Sequence, residues 1–216
     1  DNTVIVAGRN LENLNETIAG LDNTFAYELD VSSPESIDSF TKTLLAKHPD
    51  VNVLINNAGI MGFEDLATKR DLAHAEEIMT VNVLGVMRMT NTLVDQLCAA
   101  KNAVLMNMSS GLAFVPLPAA ATYSASKAAV HSYTQSLRRH LEGKVEVIEI
   151  APPAVRTELN PGQSEIEEYM PLDEFIEETM SIIKQQPTPE EILVERVMPL
   201  RNAEKDEKVD VILQAM

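Results

Sequence analysis

Short apolar, β-branched runs recur along this chain at Thr3–Ala7, Val51–Ile55, Ala103–Met108 and Val145–Ile150, with a weaker run at Thr24–Leu29. Each has the length of a strand, and longer stretches of helical period separate most of them. Strands joined through helices of ten or more residues cannot pair as hairpins, so the pattern predicts parallel β-α-β units. Right-handed crossovers then place helices on both faces of one doubly wound, mostly parallel, Rossmann-type sheet. In such sheets ligands bind beyond the carboxyl ends of the strands. Those ends carry Gly8-Arg9, Asp30, Asn56-Asn57-Ala58-Gly59, Ser109-Ser110-Gly111 and Pro152-Pro153, all rich in turn-forming or small polar residues.

Helices are expected over Ser36–Lys47, Leu72–Ala99 and from about Tyr123 to Leu141. Ser33 and Pro34 form a start signal for the first, and Gly143 a stop for the third. Beyond Thr157 the segment Glu158–Pro171 reads as a loop and Leu172–Lys184 as an amphipathic helix. Thr188-Pro189-Glu190-Glu191 reads as a capping box that starts a helix running to about Ala203. Lys208–Met216 is expected to be a short strand or a final helical turn. With 216 residues and no linker or repeat, the chain is expected to be one domain over 1–216.

The net charge of -16, from 33 acidic and 17 basic residues, disfavours nucleic acid and anionic lipid as partners. A single cysteine, Cys98, excludes an internal disulfide and points to a reducing, cytoplasmic setting. No apolar run is long enough to span a membrane, and the four scattered histidines show no metal-ligand spacing.

The chemistry concentrates in Tyr123-Ser124-Ala125-Ser126-Lys127, preceded by Ser110. On a helix Tyr123 and Lys127 stand one turn apart, about 5–6 Å between β-carbons. An ammonium there favours the phenolate of a tyrosine whose free pKa is about 10. Ser110, just past a strand, is placed to hydrogen-bond a developing alkoxide. Taken by itself, Tyr-x-x-x-Lys is weak, since many surface helices contain it.

In order and context these residues resemble the short-chain dehydrogenase/reductase family. Asn56-Asn57-Ala58-Gly59 is similar to its N-N-A-G segment. The Ser110-to-Tyr123 interval is similar to its active-site spacing, and Asn82 falls where the family has its active-site asparagine. The resemblance implies an NADP-dependent oxidoreductase moving hydride between NADP(H) and a small carbonyl or alcohol. Tyr123 would be the general acid/base, Ser110 would orient the substrate oxygen and Asn82 would hold a relay water. Lys127 would lower the tyrosine pKa and bind the nicotinamide ribose. The implied cofactor residues are Arg9, Asp30, Val31, Asn57, Ala58, Gly59, Tyr123, Lys127, Pro152, Val155 and Thr157. Arg9, at the 2′ oxygens of adenosine, favours NADP over NAD, although a surface arginine and a solvated Asp30 are the plain alternatives. Pro153 stands where many relatives have glycine, which stiffens that loop.

Residues 158–203 correspond to the family's variable substrate region. Leu112, Phe114, Leu117, Leu159, Tyr169 and Met170 are candidates for an apolar wall or for ordinary packing. The resemblance also implies a homodimer or homotetramer through the long helices, and is nearest a bacterial branch named after an oxidoreductase associated with lipoteichoic-acid D-alanylation. A non-catalytic oligomeric or regulatory protein on the same scaffold is the competing reading. Relatives open with a strand, a glycine-rich turn and a helix. Position 1 here aligns with the start of their second strand, so that first strand and helix are expected to be missing, and cofactor binding by these 216 residues weak.

Overall fold

The computed structural model describes residues 2–216. Strands β1 (Val4–Gly8), β2 (Thr24–Glu28), β3 (Val53–Asn56), β4 (Val104–Met108), β5 (Glu146–Ile150) and β6 (Glu191–Ile192) alternate with helices. Every pairing is parallel. The helices are α1 (Leu11–Thr17), α2 (Pro34–Lys47), α3 (Ala73–Met79), α4 (Val86–Ala99), α5 (Ala121–His140), α6 (Leu172–Ile183), α7 (Met198–Arg201) and α8 (Val209–Ala215). A π-helical turn, Thr80–Gly85, joins α3 to α4, so the long helical region expected from Leu72 to Ala99 is one rod with an inserted bulge.

Two expectations about the fold are corrected. The first strand and helix are not missing: β1 and α1 are both formed at the start of the structure. Val4, Ile5 and Val6 suit a strand, and the Asn10 side chain accepts from the Asn13 N–H to cap α1. Nor is there one continuous sheet. The strands form a two-stranded sheet, β1-β2, and a four-stranded sheet, β3-β4-β5-β6.

Side chains hold the two sheets together. Leu29, Ile37, Phe40 and Leu44 share a core with Leu54, Met89, Leu93, Leu97, Leu105 and Val147, and Ile5, Ala7 and Tyr27 pack against it. Burying such an aliphatic side chain is worth roughly 1.5–3 kcal/mol. The alternate residues of β4 and β5, Met106, Ile148 and Ile150, face the other way and are covered by Phe175, Ile182 and Ile183 around α6. Helices thus cover both faces, as the alternation in sequence required.

The helix expected from Thr188 does not form. Glu191–Ile192 instead pairs with Glu149–Ile150 as β6. Burial of Ile192 and Val194, two residues apart, imposes a strand period that outweighs the capping signal. The C-terminal segment is helical as α8. No helix among the described residues is long and apolar enough to cross a membrane.

Candidate active site

Tyr123 and Lys127 lie on the first two turns of α5, on its buried side. The helix starts without a local cap, because Ala120 carries no acceptor. Glu64, in the loop after β3, takes that role from a distance. Its carboxylate accepts from the Thr122 amide (2.5 Å) and hydroxyl (3.0 Å), and Arg70 pairs with it at 2.5 Å. A negative group at a helix N-terminus also complements the helix dipole. Burial pushes the Glu64 carboxyl up, but the Thr122 bonds and Arg70 outweigh it and hold its pKa below the ordinary value.

Lys127 Nζ donates to the Met108 carbonyl at the end of β4 (2.9 Å) and stands 5.6 Å from the Tyr123 ring centroid. Two residues beyond Met108, the Ser110 hydroxyl accepts from the Leu112 amide (3.1 Å) and stands near enough to Tyr123 to pull its pKa down. Tyr123 is 6 % and Lys127 4 % exposed. Burial governs both: it pushes the phenol up to about 12, against the downward pull of Ser110, and pushes the amine down to about 8. The ammonium does not carry the phenol toward neutrality, because desolvation of two adjacent buried groups disfavours phenolate and ammonium alike.

Asn82 sits in the π-helical turn and is wholly buried. Its side-chain carbonyl accepts from the Ile60 amide (2.9 Å), and its amide donates to the Ile60 carbonyl (2.9 Å) and to Ser126 Oγ (3.0 Å). Single-turn π insertions commonly accompany functional positions. Gly59 brings the strand end against this group: a β-carbon there would lie 3.3 Å from Asn82 Oδ1 and 3.4 Å from Lys127 Nζ. The structure therefore gathers Asn82, Ser110, Tyr123, Lys127 and Gly59 at the carboxyl ends of β3 and β4.

The remaining sequence candidates are more dispersed. Asn57 and Ala58 are exposed beside Gly59. Pro152 adjoins the serine turn, its carbonyl accepting from Gly111 N–H (2.8 Å). Val155 is buried and bridges to Met170, and the Gln163 amide reaches the Val155 carbonyl (2.9 Å) and Thr157 Oγ1 (3.4 Å). Arg9 is exposed past β1. One Asp30 oxygen accepts from the Ser32 amide and hydroxyl, which with the distant Arg9 holds its carboxyl below the ordinary range despite some burial. Val31 packs on Gly85, where a β-carbon would lie 3.1 Å from it. That contact ties the end of β2 to the turn carrying Asn82.

Of the apolar-wall candidates, Leu112 and Leu117 line a cavity of about 670 Å³ with Leu66, Ala67, Ala121 and Ala125. Phe114 packs edge-on against His131 at 5.1 Å, and Met170 lies in a core cluster with Val155, Val194 and Val197. Sequence reasoning missed Glu64. It also missed His131, Glu149 and Glu191, whose ligand-type atoms lie within 4.8 Å of one another. The alternation of β5 singles out Glu149 as an acid in a strand that is otherwise apolar over Val147–Ile150, and that signal was readable.

Comparison with known proteins follows the same lines. An uncharacterized oxidoreductase, DltE, of Bacillus subtilis is 35% identical over 162 residues, covering 74% of this chain and 64% of that protein. A short-chain dehydrogenase structure from Streptomyces avermitilis has the same fold, with a TM-score of 0.83 at 23% identity over 99% of this chain and 86% of the other. An alcohol dehydrogenase from Thermococcus sibiricus, complexed with 5-hydroxy-NADP, gives a TM-score of 0.77 at 25% identity over 88% of this chain and 84% of that one. Residues 1–168 match the family described as short chain dehydrogenase, and the chain belongs to that family.

Proposed function

We propose that the protein is an NADP(H)-dependent oxidoreductase that interconverts a small carbonyl and its alcohol. The observation that carries this reading is the packing of Ser110, Tyr123 and Lys127 into one buried group, with Asn82 behind them. When bound, the nicotinamide exchanges hydride with the substrate carbon. Tyr123, its pKa pushed up to about 12, keeps its proton at neutral pH and is an acid suited to protonating the alkoxide as it forms. Ser110 steadies the same oxygen, since its hydroxyl is fixed by the Leu112 amide. Lys127 spends one N–H on Met108 and has two left for a ribose hydroxyl and the tyrosine side. Asn82 holds the 59–60 turn against the amine and is placed to order a relay water.

The dinucleotide fits this edge. Gly59 leaves open the approach to Lys127 that a β-carbon would narrow. Arg9 is an exposed cation at the end of β1, suited to a 2′-phosphate. The NADP analogue on the Thermococcus sibiricus relative supports the same choice. Asp30, Val31, Asn57 and Ala58 would border the adenosine, and Pro152, Val155 and Thr157 the nicotinamide. Residues 158–203 form the variable substrate region of a single domain, with Leu112 and Leu117 on the apolar wall. Similarity to DltE supports the bacterial branch of that kind. We place the protein in the cytoplasm as a homodimer or homotetramer, in keeping with its lone cysteine and the long helices α4 and α5.

Replacing Tyr123 by phenylalanine removes the proton donor and keeps the ring. Turnover of an aldehyde and ketone panel with NADPH is expected to fall by about 10²–10⁴-fold, with NADPH affinity retained by fluorescence titration. Full turnover in Tyr123→Phe would sink the mechanism.

A further inference from the structure

Glu149 is a 0 % exposed carboxylate in the middle of a sheet, and the proposed reaction gives it no task. Its position is fully engaged. Ser109 Oγ donates to one oxygen (2.5 Å), and His131 Nδ1 lies 2.8 Å from the other. Ser109 immediately precedes Ser110, and the backbone there is also tied to β5, Ser109 N–H donating to the Ile150 carbonyl (2.9 Å). His131 follows Lys127 by one helical turn on α5. Its ring packs edge-on against Phe114, at the other end of the turn that carries Ser110. One pair, Glu149 buried and His131 half-buried, therefore grips residues 109–114 at both ends.

We propose that His131 and Glu149 are positioning residues that clamp the Ser109–Phe114 turn and set the Ser110 hydroxyl against Tyr123, and that the clamp is tightest with His131 protonated. The inference rests on the reading of Ser110 and Tyr123 given above.

The charges facing His131 from its neighbours make the proton matter. Glu149 approaches from β5, Glu191 from β6 and Arg201 from α7, where Arg201 Nε holds Glu191 at 2.7 Å and its guanidinium covers Phe114 at 5.0 Å. On its own helix Gln135 contributes a neutral amide 3.1 Å from Nε2, able to accept or donate by turning over. Two carboxylates and one guanidinium leave the cluster at -1 with neutral imidazole and at zero with imidazolium. The hydrogen bond to Glu149 raises the His131 pKa above its ordinary value, against partial burial. A raised folded value means the clamp is complete below the ordinary histidine pKa and is lost as pH rises through the folded one.

The test follows histidine ring signals by NMR across pH in the parent protein, in Glu149→Gln and in His131→Gln. Of the four histidines, the His131 signal is assigned by its loss in His131→Gln. His131 is expected to titrate above about 6.5 in the parent and lower in Glu149→Gln. The backbone amides of Ser110 to Phe114 should move with the same midpoint, and that movement should vanish in His131→Gln. In turnover, kcat is expected to fall with pH along that midpoint. Glu149→Gln should lose about ten- to a hundredfold in kcat with the KM for NADPH unchanged.

A His131 midpoint that ignores Glu149→Gln, or Ser110–Phe114 amides that ignore the His131 midpoint, would overturn the clamp. The amide readout needs no turnover. If the amides follow His131 and no substrate turns over, the clamp stands and the assigned reaction fails. If Glu149→Gln keeps full kcat while Tyr123→Phe loses it, the reaction stands and the clamp fails. Should Glu149→Gln not fold, His131→Gln still carries the amide and kcat readouts, since a glutamine there still offers Glu149 a neutral donor.

Discussion

Lys127 shows most plainly how burying an ionisable side chain subtracts from stability. Burial lowers its pKa to about 8, while the unfolded chain holds the proton up to the ordinary value of 10.5. Between those values the unfolded state binds the extra proton, so stability from this group rises with pH over that window and is lowest below it. Lys127→Met is expected to be more stable than the parent at neutral pH by up to about 3 kcal/mol, less the cost of an orphaned Met108 carbonyl. The advantage should shrink from pH 8 to 10.5, as read from denaturant midpoints. An advantage that stays flat over that range would show that the amine is not the source. Buried amines of this kind cluster at functional sites.

At the level of elements, α5 depends on a residue from another part of the chain. Glu64 caps its first turn across 58 positions of sequence. Its folded pKa lies below the ordinary 4.5, so the cap is complete above that value and is lost as pH falls through the folded one. Glu64→Ala is expected to cost about 1–2 kcal/mol, near 2–8 °C in Tm for a chain of this length. Hydrogen exchange should rise at Thr122 to Ser124 and not near His140. Equal protection at both ends of α5 would refute the cap.

This element also marks the boundary of what the sequence revealed. Tyr123, Lys127 and Ser110 were legible because one is a helical turn from another and the third ends a strand, both local relations. Glu64 and His131 were not singled out, since each acts through a partner that only the folded sheet brings near, whereas Glu149 left a readable mark as an acid within an apolar strand. β6 was misread because two residues of strand carry too little pattern to outweigh the Thr188-Pro189-Glu190-Glu191 helix signal.

For the whole molecule, a net charge of -16 sets up self-repulsion that salt relieves. Moving from about 0.01 M to about 0.1 M NaCl shortens the screening length from about 30 Å to about 10 Å. The thermal midpoint is expected to rise by about 2–4 °C, equivalent to about 1 kcal/mol, by circular dichroism. A midpoint that stays level or falls would mean the acidic surface is already offset by its 17 cations. Arg9 is one of the 17 cations set against that charge. Arg9 belongs to the leaf formed by β1 and β2, whereas Tyr123 and Lys127 answer to the leaf formed by β3 to β6. Apolar contacts such as those of Leu29 and Phe40 with Leu54 and Met89 bind these leaves, and Arg88 on α4 adds a hydrogen bond across them to the Ser32 carbonyl (2.8 Å). The proposed adenosine end and the proposed chemical end therefore sit on separate leaves, and their spacing is set by side-chain packing with no shared ladder of backbone hydrogen bonds.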